Sequence, residues 1–252
     1  MNEHDNSMHV HLDSVDSTNN WMKENAAMRP HGFTVSAGSQ IAGRGQRGNS
    51  WESAPGQNVT MSMLLRPTGV DAARQFVISE AVALGVVDTL RHFLGPEAPV
   101  AVKWPNDIYW NELKICGILI ENVLRGREII QSIAGIGLNV NQQEFMSDAP
   151  NPVSMWQIAG CEFSVGEVTD TLRRNVISRC LLSEKELHEA YLNALWRREG
   201  FYPYRDAASQ RRFMARIAGI SPSGRLSLEE QDGPAHVYAF KEVQAIVADV
   251  PL

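Results

Sequence analysis

Apolar and polar residues alternate over positions 8–13, where Met8, Val10 and Leu12 interleave with His9, His11 and Asp13. Period two predicts a half-buried strand. Asp16, Ser17, Thr18 and Asn19 then offer several capping side chains ahead of Trp21, Met22, Lys23 and Glu24, so a helix starts there. Residues 33–39 read as a strand, 41–57 as a long loop rich in Gly, Ser and Asn, and 58–65 as a second alternating strand. Loops of such length in compact domains are functional or disordered. Residues 72–94 place Phe76, Val77, Ala81, Leu84, Val87, Leu90 and Phe93 on one helical stripe, which Gly95-Pro96 ends.

From 100 to 141 the chain reads as successive strands, with turns at Asn111-Glu112 and Gly126-Arg127, the second a short hairpin. Residues 142–156, with Pro150 and Pro152, read as a mobile loop, and 165–196 as one or two helices. After Gly200 the texture changes. Residues 211–217, 225–230 and 235–240 form short strands separated by Gly219, Ser221-Pro222-Ser223-Gly224 and Asp232-Gly233-Pro234. Evenly spaced short strands with such turns predict a small β-barrel. The expected architecture is α+β: a main domain over 1–200 and an all-β companion over 201–252.

Composition narrows the setting. Of 252 residues, 44% are hydrophobic and 21% charged, an ordinary globular balance. No apolar run approaches the ~20 residues that cross a bilayer, so no membrane role is expected. The start, Met1-Asn2-Glu3-His4-Asp5, is the opposite of a signal peptide, and the three cysteines (Cys116, Cys161, Cys180) are odd in number and widely spaced. Both point to a reducing, cytoplasmic setting. A net charge of −6 repels nucleic acid. Against that background, cations gathered at glycine-rich or strand positions suggest a small anionic ligand.

Three segments gather them. Gly43-Arg44-Gly45-Gln46-Arg47-Gly48-Asn49-Ser50-Trp51 combines glycines that allow close backbone approach with two arginines that fit phosphate or carboxylate. It is neither a Walker A loop nor a dinucleotide fingerprint. Trp51 is a flat aromatic able to cover a purine. Lys103-Trp104-Pro105-Asn106-Asp107 and Lys114-Ile115-Cys116-Gly117-Ile118-Leu119-Ile120-Glu121 set two lysines and a carboxylate in apolar surroundings. Lysines are rarely buried unless an anion pairs with them. Trp104, Ile108, Tyr109 and Trp110 would crowd Lys103; a surface-edge lysine is the plainer alternative. On a regular strand Lys114 would share its face with Cys116, Ile118 and Ile120, with Gly117 opposite. Gly135-Ile136-Gly137-Leu138-Asn139-Val140-Asn141 adds alternate glycines, which weaken a strand and imply close approach. Together the segments describe a site for a phosphate-bearing ligand that also holds an organic acid. His9-x-His11 lacks the partners of a zinc site.

In order and spacing, Ser17-Thr18-Asn19, Gln40 with the loop from Gly43 to Trp51, Lys103-Trp104-Pro105-Asn106-Asp107, Lys114-x-x-Gly117-Ile118-Leu119 and Gly135-Ile136-Gly137-x-Asn139-x-Asn141 match one family. The chain resembles the biotin–protein ligases along almost all its length. The resemblance implies a class II synthetase-like mixed sheet flanked by helices, followed by an SH3-like barrel. It implies activation of biotin by ATP as biotinyl-5′-AMP, then transfer to a lysine of a biotin carboxyl carrier domain. Arg44, Lys103, Asp107 and Lys114 are the implied catalytic residues. Ser17, Thr18, Asn19, Gln40, Gly43, Arg44, Gly45, Gln46, Lys114 and Gly117 would hold biotin. Arg44, Arg47, Trp51, Lys103, Asn106 and Asn139 would hold ATP, with Mg²⁺ carried mainly through the phosphates and no metal ligand assigned. Asp107 would orient or deprotonate the incoming amine.

Two departures carry expectations. Gln46 and Asn49-Ser50 replace more basic residues usual in bacterial members, so the loop should retain the adenylate less tightly. Cys116 stands where a small residue is usual, so alkylating it should block activity and ligands should protect it. With its first motif at Ser17, the chain resembles the ligase-only type rather than members with an N-terminal DNA-binding domain. Residues 142–156 are expected to close over the nucleotide, and a homodimer is a further expectation. The rivals are a lipoate ligase or octanoyltransferase of the same fold, and a biotin-binding sensor without catalysis.

Overall fold

The structure, a computed structural model, describes residues 8–46, 50–146 and 151–247. Strands β1 (His9–Leu12), β2 (Thr34–Ala37), β3 (Val59–Leu65), β4 (Val100–Lys103), β5 (Asp107–Trp110), β6 (Leu113–Arg125) and β7 (Glu128–Leu138) form one sheet in the order β1-β2-β3-β7-β6-β5-β4. Only β1 and β2 run parallel; the other pairs are antiparallel, so the sheet is mixed as expected. Tight turns join β5 to β6 and β6 to β7. Asn111 (φ 50°) and Gly126 (φ 62°) take the left-handed conformation those turns need.

The helices are α1 (Thr18–Asn25), α2 (Phe76–Leu94), α3 (Met155–Ala159), α4 (Val165–Cys180) and α5 (Glu184–Asn193). The apolar stripe of α2 packs on one face of the sheet and carries α4 and α5. Met61, Met63, Val82, Val86, Leu90, Ile118, Ile136 and Leu172 are buried in this core. A Cβ at Gly85 would lie 2.8 Å from the Val176 backbone, so α2 and α4 cross closely. On the opposite face α1 covers only one end, over Met22, Phe33, Leu64 and Ile133. Among the described residues, that leaves the Asp107–Gly117–Gly137 stretch of this face without a helix.

Three expectations change. The alternating strand at 58–65 is buried on both faces, because Val59, Met61 and Met63 lie in the core with α2 and α4 while α1 covers the other side. Residues 151–156 are pinned rather than mobile. The Lys114 N–H donates to the Asn151 carbonyl (2.7 Å), the Val153 N–H donates to the Lys114 carbonyl (2.9 Å), and Val153 and Met155 are buried. Residues 147–150 lie outside the described residues. The C-terminal region contains two strands that the turn pattern did not reveal.

That region forms a second sheet from β8 (Tyr202–Asp206), β9 (Arg212–Ile220), β10 (Leu226–Glu230), β11 (Ala235–Tyr238) and β12 (Val243–Ala245), in the order β11-β10-β9-β8-β12. It is antiparallel throughout and fits an SH3-like unit. On β9, Phe213, Ala215 and Ile217 face inward and Arg212, Met214 and Arg216 outward, the alternation of a strand packed on one side. The two sheets are clasped together. The Trp104 indole N–H donates to the Gly224 carbonyl (2.9 Å), and Arg197 binds both Glu112 (2.7 Å) and the Ile246 carbonyl (2.9 Å).

Candidate active site on the open face of the sheet

Cross-strand register builds the site. Lys103 pairs with Asp107, Asp107 with Gly117, Gly117 with Gly137, and Gly137 with Thr60. Facing residues of an antiparallel ladder project to the same side. Since Val102, Ile108, Cys116, Ile136 and Met61 point to the α2 core, this rung points the other way. It runs from a lysine and a carboxylate, across two glycines, to a threonine.

Trp51 lies on those glycines. A Cβ at Gly117 would stand 2.8 Å from Trp51 Cζ3, and one at Gly137 only 2.3 Å from Trp51 Cε2. Only glycine lets the indole settle on the strands. Its N–H is buried with no partner among the described residues, a donor left for a ligand.

A register shift between Ile108 and Tyr109 sets the lysine. Tyr109 pairs with Lys114 but Ile108 with Cys116, leaving Ile115 unpaired in a bulge. The bulge reverses the phase. Lys114 therefore lies with Gly117 on the open face, and Cys116 and Ile118 lie in the core, contrary to the regular-strand reading. Lys114 Nζ is 2.7 Å from Asp107 Oδ1 and 5.6 Å from the Trp51 ring. Lys103 Nζ sits 4.9 Å over the Tyr109 ring. Burial pulls the Lys103 pKa below the usual lysine value, partly opposed by the charge of Asp107. Of the four residues expected to crowd Lys103, Ile108 points to the core and Trp104 holds the second sheet. The expectation for Cys116 also reverses. It is wholly buried, and desolvation pushes its thiol far above the ordinary range, so it is inert rather than protectable.

The neighbouring rung, Leu119–Gly135–Ser62, carries a polar network. Asn19 stands over Gly135, where a Cβ would come within 2.4 Å of its Oδ1. Ser62 Oγ is 2.5 Å from Asn19 Oδ1 and 2.8 Å from Thr18 Oγ1. Gln40 Oε1 accepts from the Thr18 N–H (2.9 Å) and lies 3.1 Å from Thr18 Oγ1. Ser17 occupies the N-cap position of α1 but makes no side-chain cap bond. Thr18 and Asn19 of the triplet are therefore spent on this network rather than on capping.

Arg44 reaches over α1: its Nη2 donates to Asn20 Oδ1 (2.7 Å) and Glu121 Oε2 (3.3 Å). A Cβ at Gly43 would meet the Trp51 carbonyl at 2.7 Å, and the backbone N–H of Trp51 donates to the Gly43 carbonyl. Gly45 and Gln46 line the same cavity; Arg47, Gly48 and Asn49 lie outside the described residues. Asn106 closes its turn by donating to the Ile118 carbonyl (2.8 Å). Asn139 donates to the Val153 carbonyl (3.0 Å), and its Oδ1 is buried without a partner among the described residues. Asn141 is locked to Phe163 by two reciprocal bonds, so it is structural.

Most of these groups surround one cavity of about 1040 Å³, in which Arg44, Lys103, Asp107 and Lys114 line the wall together; Gly43, Ser62 and Asn141 do not line it. The second sheet supplies the far side with Tyr204, Arg205, Gln210, Lys241 and Gln244. These were absent from the sequence expectations, and so were Ser62 and any role for Glu121. For Ser62 a signal existed, since Thr60 and Ser62 interrupt the apolar run of β3. For the C-terminal residues none did: they are ordinary polar residues of short strands.

A cation-lined cavity on a mixed sheet, with an amide and hydroxyl pocket beside it and a small antiparallel sheet across it, defines a ligase-type α+β enzyme that brings an acid to a phosphate. The chain belongs to the biotin/lipoate A/B protein ligase family, which residues 11–139 match. It is 32% identical over 248 residues to the bifunctional ligase/repressor BirA of Bacillus subtilis, covering 92% of this chain and 71% of that protein. Over 106 residues it is 40% identical to the biotin–acetyl-CoA-carboxylase ligase of Paracoccus denitrificans, covering 42% and 43% of the two chains. The biotin protein ligase of Aquifex aeolicus, solved with biotin and ATP, shares its fold with a TM-score of 0.76 at 24% identity, over 95% of this chain and 99% of that one.

Proposed function

We propose that this protein activates biotin with ATP as biotinyl-5′-AMP and transfers the biotinyl group to a lysine of a biotin carboxyl carrier domain. The observation that carries the reading is the charged end of the first rung. Lys103, Asp107 and Lys114 sit beside a glycine floor, one rung from a pocket of amides and hydroxyls. A carboxylate and an ammonium do not condense in water, so the acid must be activated. In the first step a biotin carboxylate oxygen attacks the α-phosphorus and pyrophosphate leaves. In the second the carrier amine attacks the acyl carbon and AMP leaves, the amine losing a proton.

Bringing a carboxylate to a phosphate sets two negative charges together. At ~4 Å and an effective dielectric constant of ~20 that repulsion is about 4 kcal/mol. Lys103, Lys114 and Arg44, with Arg47, offset it and stabilise the charge that develops at phosphorus. Ser17, Thr18, Asn19 and Gln40 meet the ureido ring, with Gly43, Gly45, Gln46 and Gly117 giving close backbone approach. Trp51, Asn106 and Asn139 lie on the nucleotide side, where two unpartnered buried polar atoms support a heterocycle. Asp107 is committed to Lys114 and acts by orienting it. The donors lining the cavity are mainly amides, hydroxyls and cations, which suits a nucleotide that brings Mg²⁺ on its own phosphates and so supplies charge neutralisation. Residues 1–200 act as the catalytic unit and 201–252 as the unit that completes its wall.

Among the described residues no helix is long and apolar enough to cross a membrane. The finer reading is a cytoplasmic enzyme with no nucleic-acid role that pairs as a homodimer. Biotin-dependent ATP–pyrophosphate exchange tests the activity: exchange is expected with biotin, not with lipoic or octanoic acid, and is lost in Lys114→Ala. No biotin-dependent exchange in the folded wild-type chain would refute the proposal.

A further inference from the structure

Glu121 lies behind the cavity wall, yet two groups of the site, Asn19 and Arg44, and the neighbouring Lys23 converge on it. Its Oε2 accepts from Asn19 Nδ2 at 2.8 Å and from Arg44 Nη2 at 3.3 Å, and its Oε1 accepts from Lys23 Nζ at 2.6 Å. These bonds and neighbouring charges keep the carboxyl ionised, overcoming the opposing effect of its own burial. Asn19 therefore faces two groups that can only accept, the Glu121 carboxylate and the Leu119 carbonyl (3.4 Å). Its amide nitrogen must point to them, and its Oδ1 must point to Ser62.

Proton counting follows from that orientation. Asn19 Oδ1 cannot donate, so the single hydroxyl proton of Ser62 goes to it across 2.5 Å. Ser62 Oγ can then only accept at its 2.8 Å contact with Thr18, so the one Thr18 hydroxyl proton must serve either Ser62 or Gln40. On the far side Gln40 Oε1 is fixed as an acceptor by the Thr18 backbone N–H. With that proton on the 3.1 Å contact to Gln40 Oε1, the Ser62–Thr18 contact is left with two oxygens and no hydrogen. The chain of three contacts is one proton short, and its Thr18–Gln40 end lines the cavity. A ligand N–H that donates to Gln40 there frees the Thr18 proton to turn inward to Ser62 and completes the chain.

We infer that Glu121 is a specificity-determining residue: by fixing the polarity of the Asn19–Ser62–Thr18 chain it makes the acid pocket demand a ligand with N–H groups. It acts through Asn19, so it is a positioning residue. The inference rests on the biotin reading and sharpens it, because a cyclic urea carries N–H donors while lipoic and octanoic acids carry none. A polar site left unpaired rejects a ligand lacking its partner far more strongly than an apolar pocket rejects a change of size.

The test is the Glu121→Gln variant, whose side-chain amide can donate to Asn19 and release the polarity of the chain. Calorimetric titration of the full chain should show biotin binding weakened by 10-fold or more, and desthiobiotin, which keeps the ring N–H groups, weakened in parallel. ATP binding without biotin should stay within about 2-fold, and the melting temperature should be unchanged. Lys23→Ala removes a neighbouring charge without touching the chain and should leave biotin affinity within 2-fold. Ser62→Ala should weaken biotin by itself but add little to Glu121→Gln, since both interrupt one chain. Equal biotin affinity in wild type and Glu121→Gln, or strictly additive losses in the double variant, would overturn the inference. Failure of the wild-type chain to bind biotin would instead strike the functional reading beneath it.

Discussion

Gly137→Ala separates the role of the glycine floor from that of the fold. The added methyl would stand 2.3 Å from Trp51 Cε2, 2.4 Å from Nε1 and 2.8 Å from Cζ2. Carbon contacts settle at ~3.5–4.0 Å, so the indole must retreat by roughly 1.2–1.7 Å. The strand itself gains, because alanine replaces a strand glycine that costs ~0.5–1 kcal/mol. Trp51 sits on the 41–57 loop rather than in the sheet, so the indole is the part that gives. Stability should therefore change by no more than about 1–2 kcal/mol, well short of the ~3–5 kcal/mol for removing a buried tryptophan. A displacement of 1 Å at a reacting site costs ~10²-fold in rate, and exchange activity should fall by about that factor. Near-UV circular dichroism should report the moved indole, and adding Trp51→Leu should relieve the clash and restore the dichroism of the remaining aromatics. Gly85→Ala is the contrast: its methyl meets Val176 backbone, which cannot swing aside, so it should lower the melting temperature. A Gly137→Ala protein with wild-type exchange and an unmoved Trp51 would refute the reasoning.

Other outcomes follow from single groups. Cys116 should resist thiol reagents in the native protein with or without biotin and ATP, while exposed Cys161 reacts; native mass spectrometry showing Cys116 labelled would contradict its burial. Gln46→Arg should lengthen retention of the adenylate in filter-binding measurements, and an unchanged release rate would remove the expectation attached to that position. His9 is pulled down to about 4, first by burial and then by Arg173 and the neighbouring His11, with Asp170 opposing. Its folded-state value lies below the ordinary 6.5, so the unfolded chain binds the proton first. The stabilisation is present above pH 6.5 and lost as pH falls towards 4. Discounted for partial exposure it is about 1–2 kcal/mol, and His9→Gln should flatten the melting curve in that window relative to wild type.

Much of this site was readable because its chemistry uses residue types that packing alone does not explain. Alternate glycines at 135 and 137 weaken β7, and the structure supplies the reason: Asn19 and Trp51 lie on them. The two lysines were legible as cations in apolar company. What failed was phase. A period-two argument carries a side chain to the correct face only while the ladder is regular, and the bulge at Ile115 shifts Lys114 to the other side. No residue type in 113–117 announces that bulge. Ser62 was hidden for a related reason. Polar residues at alternate positions normally mean a wet face, and only the covering by α1 turns Thr60 and Ser62 into buried groups that must find partners. The contributions of β8 and β12 depend on how two sheets dock, through Trp104 and Arg197, which no local pattern encodes.

The arrangement also explains how Lys103, Lys114 and Arg44 can face one cavity. Lys103 and Lys114 share Asp107, which leaves one positive charge at that end. Lys23 and Arg44 share Glu121, and Asp16 also acts on Arg44, so the other end is close to neutral. The unmatched positive charge therefore sits at the Lys103–Lys114 end. An anion entering over the glycines meets it there. Glu121→Gln and Asp107→Asn therefore test different halves of one design. The first should disturb recognition of the acid and spare the nucleotide. The second releases Lys114 and should lower the rate of exchange more than it weakens biotin binding. If Asp107→Asn instead raised only the biotin dissociation constant, the charged end of the rung would belong to binding and not to activation.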